Sequence, residues 1–317
     1  MNNPDDDLFD YLITLEAASA LHSEIRVSIA SSLVVLRAPE KEVESLHFHL
    51  GHLVAESVQI ETRISFLKYA DQIRLPNGAL GFPGASSEVS VNFLGYLDVV
   101  VISHANKRTS FVLYRDSSPF SSDALRVLFQ MLIPTCRFPI HGGSVSWGER
   151  VALVSNVGGS GKSSLIAGAV LQGARTTGDD FGILDSSGNR NKVWSQFKSF
   201  KLHKQSPIFP LLDGRPRLDA LEKFVFNFDD LAPQCITASH EIDVILIPTI
   251  ADEFGIQECS RDFAFSRIAP SSAGIALQKQ ATNNAIARLC EQIPGFLLAL
   301  GPDQKENVSL TREFLSR

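Results

Sequence analysis

Short runs in which apolar and polar residues alternate occupy the first third of the chain. Examples are Ile25-Val27-Ile29 and Val89-Val91-Phe93, and two further runs, Leu97–Ser103 and Thr109–Arg115, flank a polar turn. A period of two residues is typical of half-buried β-strands. We therefore predict a strand-rich lobe from Glu24 to Arg115.

Two segments in and after this lobe have helical spacing instead. Apolar residues recur every three or four positions within Glu40–Glu56, and again within Ser121–Ile133, where a leucine stripe ends at Pro134. We place a domain boundary just before the second helix. A smaller, strand-rich α+β domain is then expected at 1–120 and a second domain at 121–317.

The second domain opens with a pattern of strand, turn, strand, glycine-rich loop and helix. The strands are predicted at Ile140–Trp147 and Arg150–Ser155, and the helix at Ser163–Gln172 with Gly173 as its stop. A short strand, Ala174–Thr177, follows. Later segments alternate, with strands predicted at Phe224–Phe228, Val244–Ile247 and Phe296–Leu300, a helix at Ser272–Gln292 and a short terminal helix. This alternation indicates an α/β domain.

The loop between strand and helix is suited to binding nucleotide phosphates. Glycines let the backbone N–H groups and the positive end of the helix surround one point. In the P-loop pattern, Lys162 reaches the terminal phosphates and the Ser163 hydroxyl binds magnesium. Asn156 stands where that pattern has its first glycine, and an Asn tolerates the left-handed conformation. The nucleotide-binding candidates are Asn156, Val157, Gly158, Gly159, Ser160, Gly161, Lys162, Ser163 and Ser164.

Acidic and imidazole groups lie close to the loop in the sequence. Asp179 and Asp180 follow the short strand after the loop helix, so they are expected at the same sheet edge as the phosphates. There they can hold magnesium or accept a proton from a hydroxyl, although an Asp pair is also common in turns and helix caps. His141 begins the strand before the loop, and either a phosphoryl contact or a structural hydrogen bond would explain it.

Composition and charge limit the classes of partner and compartment. The chain has 317 residues with a net charge of −6, and it lacks a long basic stripe, so nucleic acid is not expected as a partner. Met1–Asp10 is acidic, unlike a signal peptide, and no apolar run approaches the ~20 residues of a membrane span. Four scattered cysteines suggest reduced thiols. We expect a cytoplasmic protein that has no membrane contact.

The motifs of the second half resemble the catalytic domain of HPr kinase/phosphorylase and its relatives, which share their core with phosphoenolpyruvate carboxykinases. The order and spacing match in His141-Gly142-Gly143, the loop Gly158–Ser163, Gly173 and Asp179-Asp180. The resemblance implies a P-loop kinase domain of this type with a mixed sheet. The group includes kinases of bacterial biosynthetic clusters that modify peptides or small molecules.

The resemblance also implies residue roles. Lys162 would bind the phosphates of ATP, and Ser163 and Asp179 would hold Mg²⁺. His141 would assist at the transferred phosphoryl group, and Asp180 would deprotonate the acceptor hydroxyl with Asp179 in support. The Glu-x-Arg-Gly signature of the bifunctional enzymes is absent from the sequence. Neither HPr as acceptor nor phosphorylase activity is therefore expected.

The function predicted from these residues is ATP-dependent transfer of a phosphoryl group to a hydroxyl. The acceptor is a serine-type alcohol on a peptide, protein or small metabolite. A non-catalytic nucleotide sensor and a carboxykinase-like lyase remain as alternatives. The N-terminal domain is expected to recognise the acceptor or to support assembly, with a homo-oligomer as one option.

Two clusters admit two explanations each. The basic run Lys192–Lys198, with Lys201 and Lys204 close behind, could bind the acceptor or the nucleotide, or it could form a solvated strand face. His47, His49 and His52 could bind a metal ion, but their spacing does not place them on one helical face. The other explanation for them is a partly exposed amphipathic helix.

Overall fold

The computed structural model describes most of the chain and divides it into two compact units, Met1–Ile133 and Pro134–Arg317. The residues that it describes are 12–14, 16–17, 22–30, 32–53, 62–68, 89–94, 99–104, 107–114, 120–133, 138–186, 188, 190–212, 214, 218–220 and 223–317. The division lies after the helix Ser122–Leu132, whereas the sequence analysis placed it ahead of that helix. The architecture is mixed α/β, as predicted.

The first unit contains a six-stranded mixed sheet in the order β1-β2-β3-β6-β5-β4. Its strands are β1 His22–Ile29, β2 Ser32–Pro39, β3 Thr62–Lys68, β4 Val89–Leu94, β5 Val99–His104 and β6 Thr109–Tyr114. The predicted hairpin is confirmed, because β5 and β6 pair in antiparallel register with His104 opposite Thr109. The alternation in Ile25, Val27 and Ile29 is confirmed as well, since all three are buried.

Two helices of this unit were predicted, and both are present. Helix α1, Glu40–Leu50, is followed by one 3₁₀ turn, Gly51–Leu53. The remainder of the predicted helix, residues 54–56, lies outside the described residues. Helix α2, Ser122–Leu132, is capped by Ser121, whose hydroxyl accepts a hydrogen bond from the Ala124 N–H at 3.3 Å.

The second unit is built on a five-stranded sheet in the order β17-β18-β16-β9-β8. Its strands are β8 Gly142–Trp147, β9 Arg150–Ser155, β16 Val244–Ile250, β17 Gly255–Cys259 and β18 Gly295–Leu300. The inner strands β9, β16 and β18 are parallel, and both edge strands are antiparallel. Parallel strands covered on both faces are expected to be continuously apolar, as the run Val151–Val154 is.

Helices cover both faces of this sheet. They are α3 Lys162–Leu171, α4 Arg261–Ile275, α5 Lys279–Gln292 and α6 Gln304–Ser316. Ala152 and Val154 of β9 belong to the apolar core with α3 and α6, whereas Leu153 belongs to the core with α4 and α5. Adjacent residues of β9 thus pack into the apolar cores on the two faces of the sheet. This arrangement holds the carboxyl ends of β9 and β16 in fixed positions next to the glycine loop.

Two smaller antiparallel sheets complete the unit. One has the order β15-β11-β10-β7 and the other β12-β14-β13. Their strands are β7 Pro139–Ile140, β10 Gly182–Asp185, β11 Lys192–Ser195, β12 Ser199–His203, β13 Leu218–Ala220, β14 Lys223–Asn227 and β15 Ser239–Glu241. The predicted strand at Phe224–Phe228 is confirmed as β14.

Two predicted elements are corrected by the structure. The expected strand Ala174–Thr177 is only a pair of isolated bridges, from Arg175 to Ser146 and from Thr176 to Ile236. The long helix expected at Ser272–Gln292 is two helices, α4 and α5, because the chain is extended at Ala276. Among the described residues, no helix has the length and apolar character that a membrane span requires.

Candidate functional site

The glycine loop joins the buried end of β9 to the first turn of α3. Helix α3 begins at Lys162, and the residue before it, Gly161, has φ +94°, a left-handed conformation that favours glycine. A Cβ at Gly161 would also lie 2.6 Å from Leu300 Cδ1. Gly159 has φ +78°. These two glycines therefore allow the loop to turn tightly into the helix.

The side chain at the start of the loop is structural in this conformation. Asn156 is buried, and its Nδ2 donates to the Pro248 carbonyl at 2.7 Å while its Oδ1 accepts from the Val157 N–H at 2.8 Å. The amide thus ties the loop to the carboxyl end of β16. Because both halves of the amide are occupied within the protein, the Asn156 side chain holds the backbone of the loop in place.

One cavity of about 340 Å³ lies against this loop. Its lining includes eight of the predicted residues, namely His141, Gly158, Gly159, Gly161, Lys162, Ser163, Ser164 and Asp180. Four described residues of the predicted set are outside the lining, namely Asn156, Val157, Ser160 and Asp179. The residues predicted as separate motifs therefore meet mostly at one surface.

Lys162 lines this cavity and is buried. It is 4% exposed, and its Nζ donates to the Val157 carbonyl at 3.0 Å. Burial lowers the pKa of Lys162, and the charges of Asp179 and Asp180 act in the opposite direction. The ammonium group is thus close enough to both carboxylates to interact with them across the loop.

The two aspartates occupy different environments. Asp179 is 1% exposed, and neither of its carboxylate oxygens has a hydrogen-bond partner among the described residues. Burial raises the pKa of Asp179 to about 7, and the negative charge of Asp180 adds to the rise. The Ser163 hydroxyl, which is near the carboxylate but does not complete a hydrogen bond by geometry, and the charge of Lys162 oppose it. A buried carboxylate of this kind is suited to neutralisation by a bound cation.

Asp180 faces the cavity and lies beside His141. Its Oδ1 is 3.8 Å from His141 Nε2. Burial acts to raise the pKa of Asp180, but the contact with His141 and the charges of Lys201 and Lys162 outweigh it, so the pKa is lowered. Asp180 is therefore the ionised member of the pair, with a carboxylate that a ligand in the cavity can reach.

Close backbone packing brings the His141 motif and the aspartates together. The His141 N–H donates to Ser272 Oγ at 3.0 Å, and the His141 carbonyl accepts from Ser155 Oγ at 2.9 Å. A Cβ at Gly143 would lie 1.8 Å from the Gly178 carbonyl oxygen. Only glycine at Gly143 allows this approach, which places the Asp pair beside the strand that follows His141.

A buried polar network, not predicted from the sequence, holds the same segment. His240 Nδ1 is 2.7 Å from Ser144 Oγ, which is 2.9 Å from Thr177 Oγ1 and accepts from the Thr177 N–H at 3.1 Å. His240 Nε2 is 2.9 Å from Thr237 Oγ1. Burial lowers the pKa of His240 to about 4, and Arg175 adds to this. A neutral imidazole thus links β8, β15 and the residues just before the Asp pair.

The lysines of the basic run, whose role the sequence did not decide, have different surroundings in the structure. Lys192 pairs with Glu241 at 3.4 Å, Lys198 pairs with Asp229 at 3.1 Å, and Lys204 lies over the Phe224 ring at 4.7 Å from its centroid. Only Lys201 of these four lines the cavity described above. It is joined there by His203 and by Lys223 of β14, two residues that the sequence analysis did not select.

The histidines near the N-terminus form no metal site in the described part of the chain. His49 is buried and packs edge-on against Phe48, with ring centroids 5.2 Å apart, and His47 is exposed. The side chain of His52 is outside the described residues. No group of three potential metal-ligating His, Cys, Asp or Glu side chains occurs among the residues that are described.

No protein-family model matches the chain, and no curated protein matches its sequence. Among solved structures, the HPr(Ser) kinase/phosphatase from Coxiella burnetii matches with 10% sequence identity and a TM-score of 0.32. The match covers 56% of this chain and 95% of that one. At this TM-score the likeness establishes neither a shared fold nor a shared activity.

Proposed function

We propose that this protein is a magnesium-dependent kinase that transfers the γ-phosphoryl group of ATP to a hydroxyl group. One observation carries the proposal. The glycine loop with Lys162 and Ser163 lines the same cavity as Asp180 and His141, and the residue before Asp180 is the buried Asp179. Phosphate-binding groups and a hydroxyl-orienting carboxylate are the two parts that phosphoryl transfer needs.

The loop is suited to the polyphosphate of the nucleotide. The first backbone N–H groups of α3 have no partner within the helix, and the helix dipole favours an anion at that end. Gly158 and Gly159 have no side chains to obstruct the approach. The Lys162 ammonium would exchange its bond to the Val157 carbonyl for one to a phosphate oxygen, and a charged acceptor makes the stronger hydrogen bond.

The acidic pair is suited to a magnesium ion. Magnesium prefers oxygen ligands, and Asp179 provides two buried oxygens that lack partners among the described residues. Ser163 supplies a hydroxyl at the second position of α3. When bound, the ion would neutralise charge that develops on the phosphates. Asp179 and Ser163 are the residues that would hold it.

Asp180 would act on the acceptor. Its ionised carboxylate faces the cavity, so it can accept a hydrogen bond from an alcohol and orient the oxygen toward the γ-phosphorus. That oxygen forms a bond to phosphorus while the bond to the β,γ-bridging oxygen breaks, and the hydroxyl proton passes to Asp180. His141 lies close enough to hold the carboxylate in place.

Binding and transfer can be separated experimentally. Wild type, Lys162→Ala and Asp180→Asn are compared by calorimetry with a non-hydrolysable ATP analogue and Mg²⁺. They are then incubated with γ-labelled ATP and with two kinds of candidate acceptor: peptides encoded by neighbouring genes, and metabolites made by the enzymes that neighbouring genes encode. We expect both variants to lose phosphoryl transfer, detected by mass spectrometry, and only Lys162→Ala to lose nucleotide affinity. Lys192→Ala is the control, since Lys192 pairs with Glu241 away from the cavity.

The same measurements separate the alternatives. A non-catalytic sensor would bind the analogue without stoichiometric phosphorylation of any acceptor. A carboxykinase-like lyase would release carbon dioxide from a dicarboxylate, or would form a dicarboxylate by fixing carbon dioxide. Equal loss of nucleotide affinity in Lys162→Ala and Asp180→Asn would contradict the division of roles between the loop and the acidic pair.

A further inference from the structure

The cavity has a second charged surface, on the sheet that contains β12 and β14. Lys201 and His203 are two positions apart on β12, and Lys223 is opposite His203 in the antiparallel register. Residues at these positions share one face of the sheet. All three line the cavity together with the glycine loop. They form a basic wall.

The other face of the same strands fixes this orientation. Phe200, Leu202, Phe224 and Phe226 belong to the apolar core of the second unit. The Phe200 ring stacks on Phe226 with centroids 5.6 Å apart. Turning the lysines away from the cavity would expose these buried aromatic side chains, which would cost several kcal/mol. The basic wall is therefore a fixed part of the site.

The two lysines of the basic wall lie on neighbouring strands. Lys201 lines the same cavity as the carboxylate of Asp180. The Lys201 Nζ also lies 5.8 Å from the ring centroid of Phe181, the residue after Asp180. Lys223 lies on the neighbouring strand β14, opposite His203, and lines the same cavity.

The geometry of phosphoryl transfer assigns these positions to different substrates. The attacking and leaving oxygens lie roughly in line on opposite sides of the phosphorus. The loop and Lys162 define the leaving side, and Asp180 defines the attacking side. A cation beside Asp180 consequently faces the acceptor. Among the cavity-lining residues that the structure describes, three carry ammonium groups and only Asp180 carries a carboxylate.

We propose that the basic wall binds a compact anionic group of the acceptor, so that the substrate is an alcohol that also carries a carboxylate or a phosphate. This inference rests on the proposed kinase function. Lys201 provides the contact beside the reacting hydroxyl, and Lys223 on the neighbouring strand adds a second cation to the same wall.

The test uses defined probes on the full chain saturated with AMP-PNP and Mg²⁺. Glycerate, glycerol 3-phosphate and glycerol are titrated by calorimetry, which distinguishes a carboxylate, a phosphate and an uncharged alcohol. We expect the two anions to bind and glycerol to bind at least tenfold more weakly. Lys201→Met should weaken anion binding at least tenfold while changing AMP-PNP affinity less than threefold, and Lys201→Arg should restore it. Lys223→Met should also weaken anion binding, because Lys223 belongs to the same wall.

The matched control is Lys204→Met, because Lys204 lies over the Phe224 ring in the same segment and does not line the cavity. It should bind all probes as the wild type does. Three results would overturn the inference: no anion binding to the wild-type nucleotide complex, equal binding of glycerol, or loss of AMP-PNP affinity in Lys201→Met to the same extent as anion affinity. Failure of the wild type to bind AMP-PNP would instead refute the kinase function itself.

Discussion

Removal of the Asp179 charge is expected to stabilise the protein at neutral pH when nucleotide and metal are absent. In the described part of the structure, both carboxylate oxygens of Asp179 are buried and have no hydrogen-bond partner. Burial and the charge of Asp180 raise the pKa of Asp179 to about 7 from its ordinary value of 3.8. Each pH unit between these values corresponds to about 1.4 kcal/mol. The difference of about three units therefore corresponds to at most about 4 kcal/mol.

The sign follows from proton binding. Between about pH 4 and pH 7 the folded protein retains a proton on Asp179 that the unfolded chain has released. The stability that the protonated Asp179 side chain contributes is thus fully present below pH 4 and is lost as the pH rises to 7. Asp180 has the opposite sign, because its lowered pKa means that the folded state favours the ionised form.

Urea unfolding of the wild type, Asp179→Asn and Asp180→Asn from pH 4.5 to pH 8 in EDTA measures both effects. We expect the stability advantage of Asp179→Asn over the wild type to grow from about 1 kcal/mol at pH 4.5 to about 4 kcal/mol at pH 8. Asp180→Asn should be less stable than the wild type at pH 8. Mg²⁺ should stabilise the wild type and leave Asp179→Asn unchanged. A pH-independent difference between Asp179→Asn and the wild type would refute the reasoning.

Three further variants test the packing around the site, and a fourth, Gly274→Ala, is a control. Gly143→Ala should lower stability by about 3 kcal/mol in thermal unfolding, because its Cβ would lie 1.8 Å from the Gly178 carbonyl oxygen, whereas Gly274→Ala, with open space around it in α4, should gain about 0.5–1 kcal/mol. His240→Gln should remove the loss of stability that the wild type shows as the pH falls from 6.5 toward 4, since folding lowers the pKa of His240. Asn156→Ala should weaken nucleotide binding at least tenfold in calorimetry, because the loop loses its tie to Pro248.

The parts of the fold that the sequence predicts well are those encoded by adjacent residues. The loop Asn156–Ser163 has its strand before it and its helix after it, since glycines, apolar runs and a helix stop are local signals. The part of helix α4 before Ser272 is not predicted because a proline normally limits a helix, and here Pro270 lies inside a helix that Ser260 caps. Burial of Ile268 and Ala269 stabilises that helix despite the proline.

The parts of the site that the sequence does not predict depend on register and on long-range packing. Lys223 enters the cavity because β14 pairs with β12 so that it is opposite His203, and no local pattern specifies that pairing. Asp179 and Asp180 look equivalent as adjacent residues, yet only Asp180 faces the cavity. His240 helps to hold the segment before the acidic pair through its contact with Ser144, which is 96 residues away in the sequence.

Gly143 and Gly178 explain why two distant motifs act as one site. The approach of their backbones leaves no room for a Cβ at Gly143, and Gly178 has φ +116° with its own missing Cβ facing the Phe197 carbonyl. Any larger residue at either position would separate the strand after His141 from the Asp pair. The contact between His141 and Asp180 therefore depends on main-chain packing two residues away, which the side chains of the motifs do not supply. Substitutions there should lower the rate of transfer without removing any group that contacts a substrate.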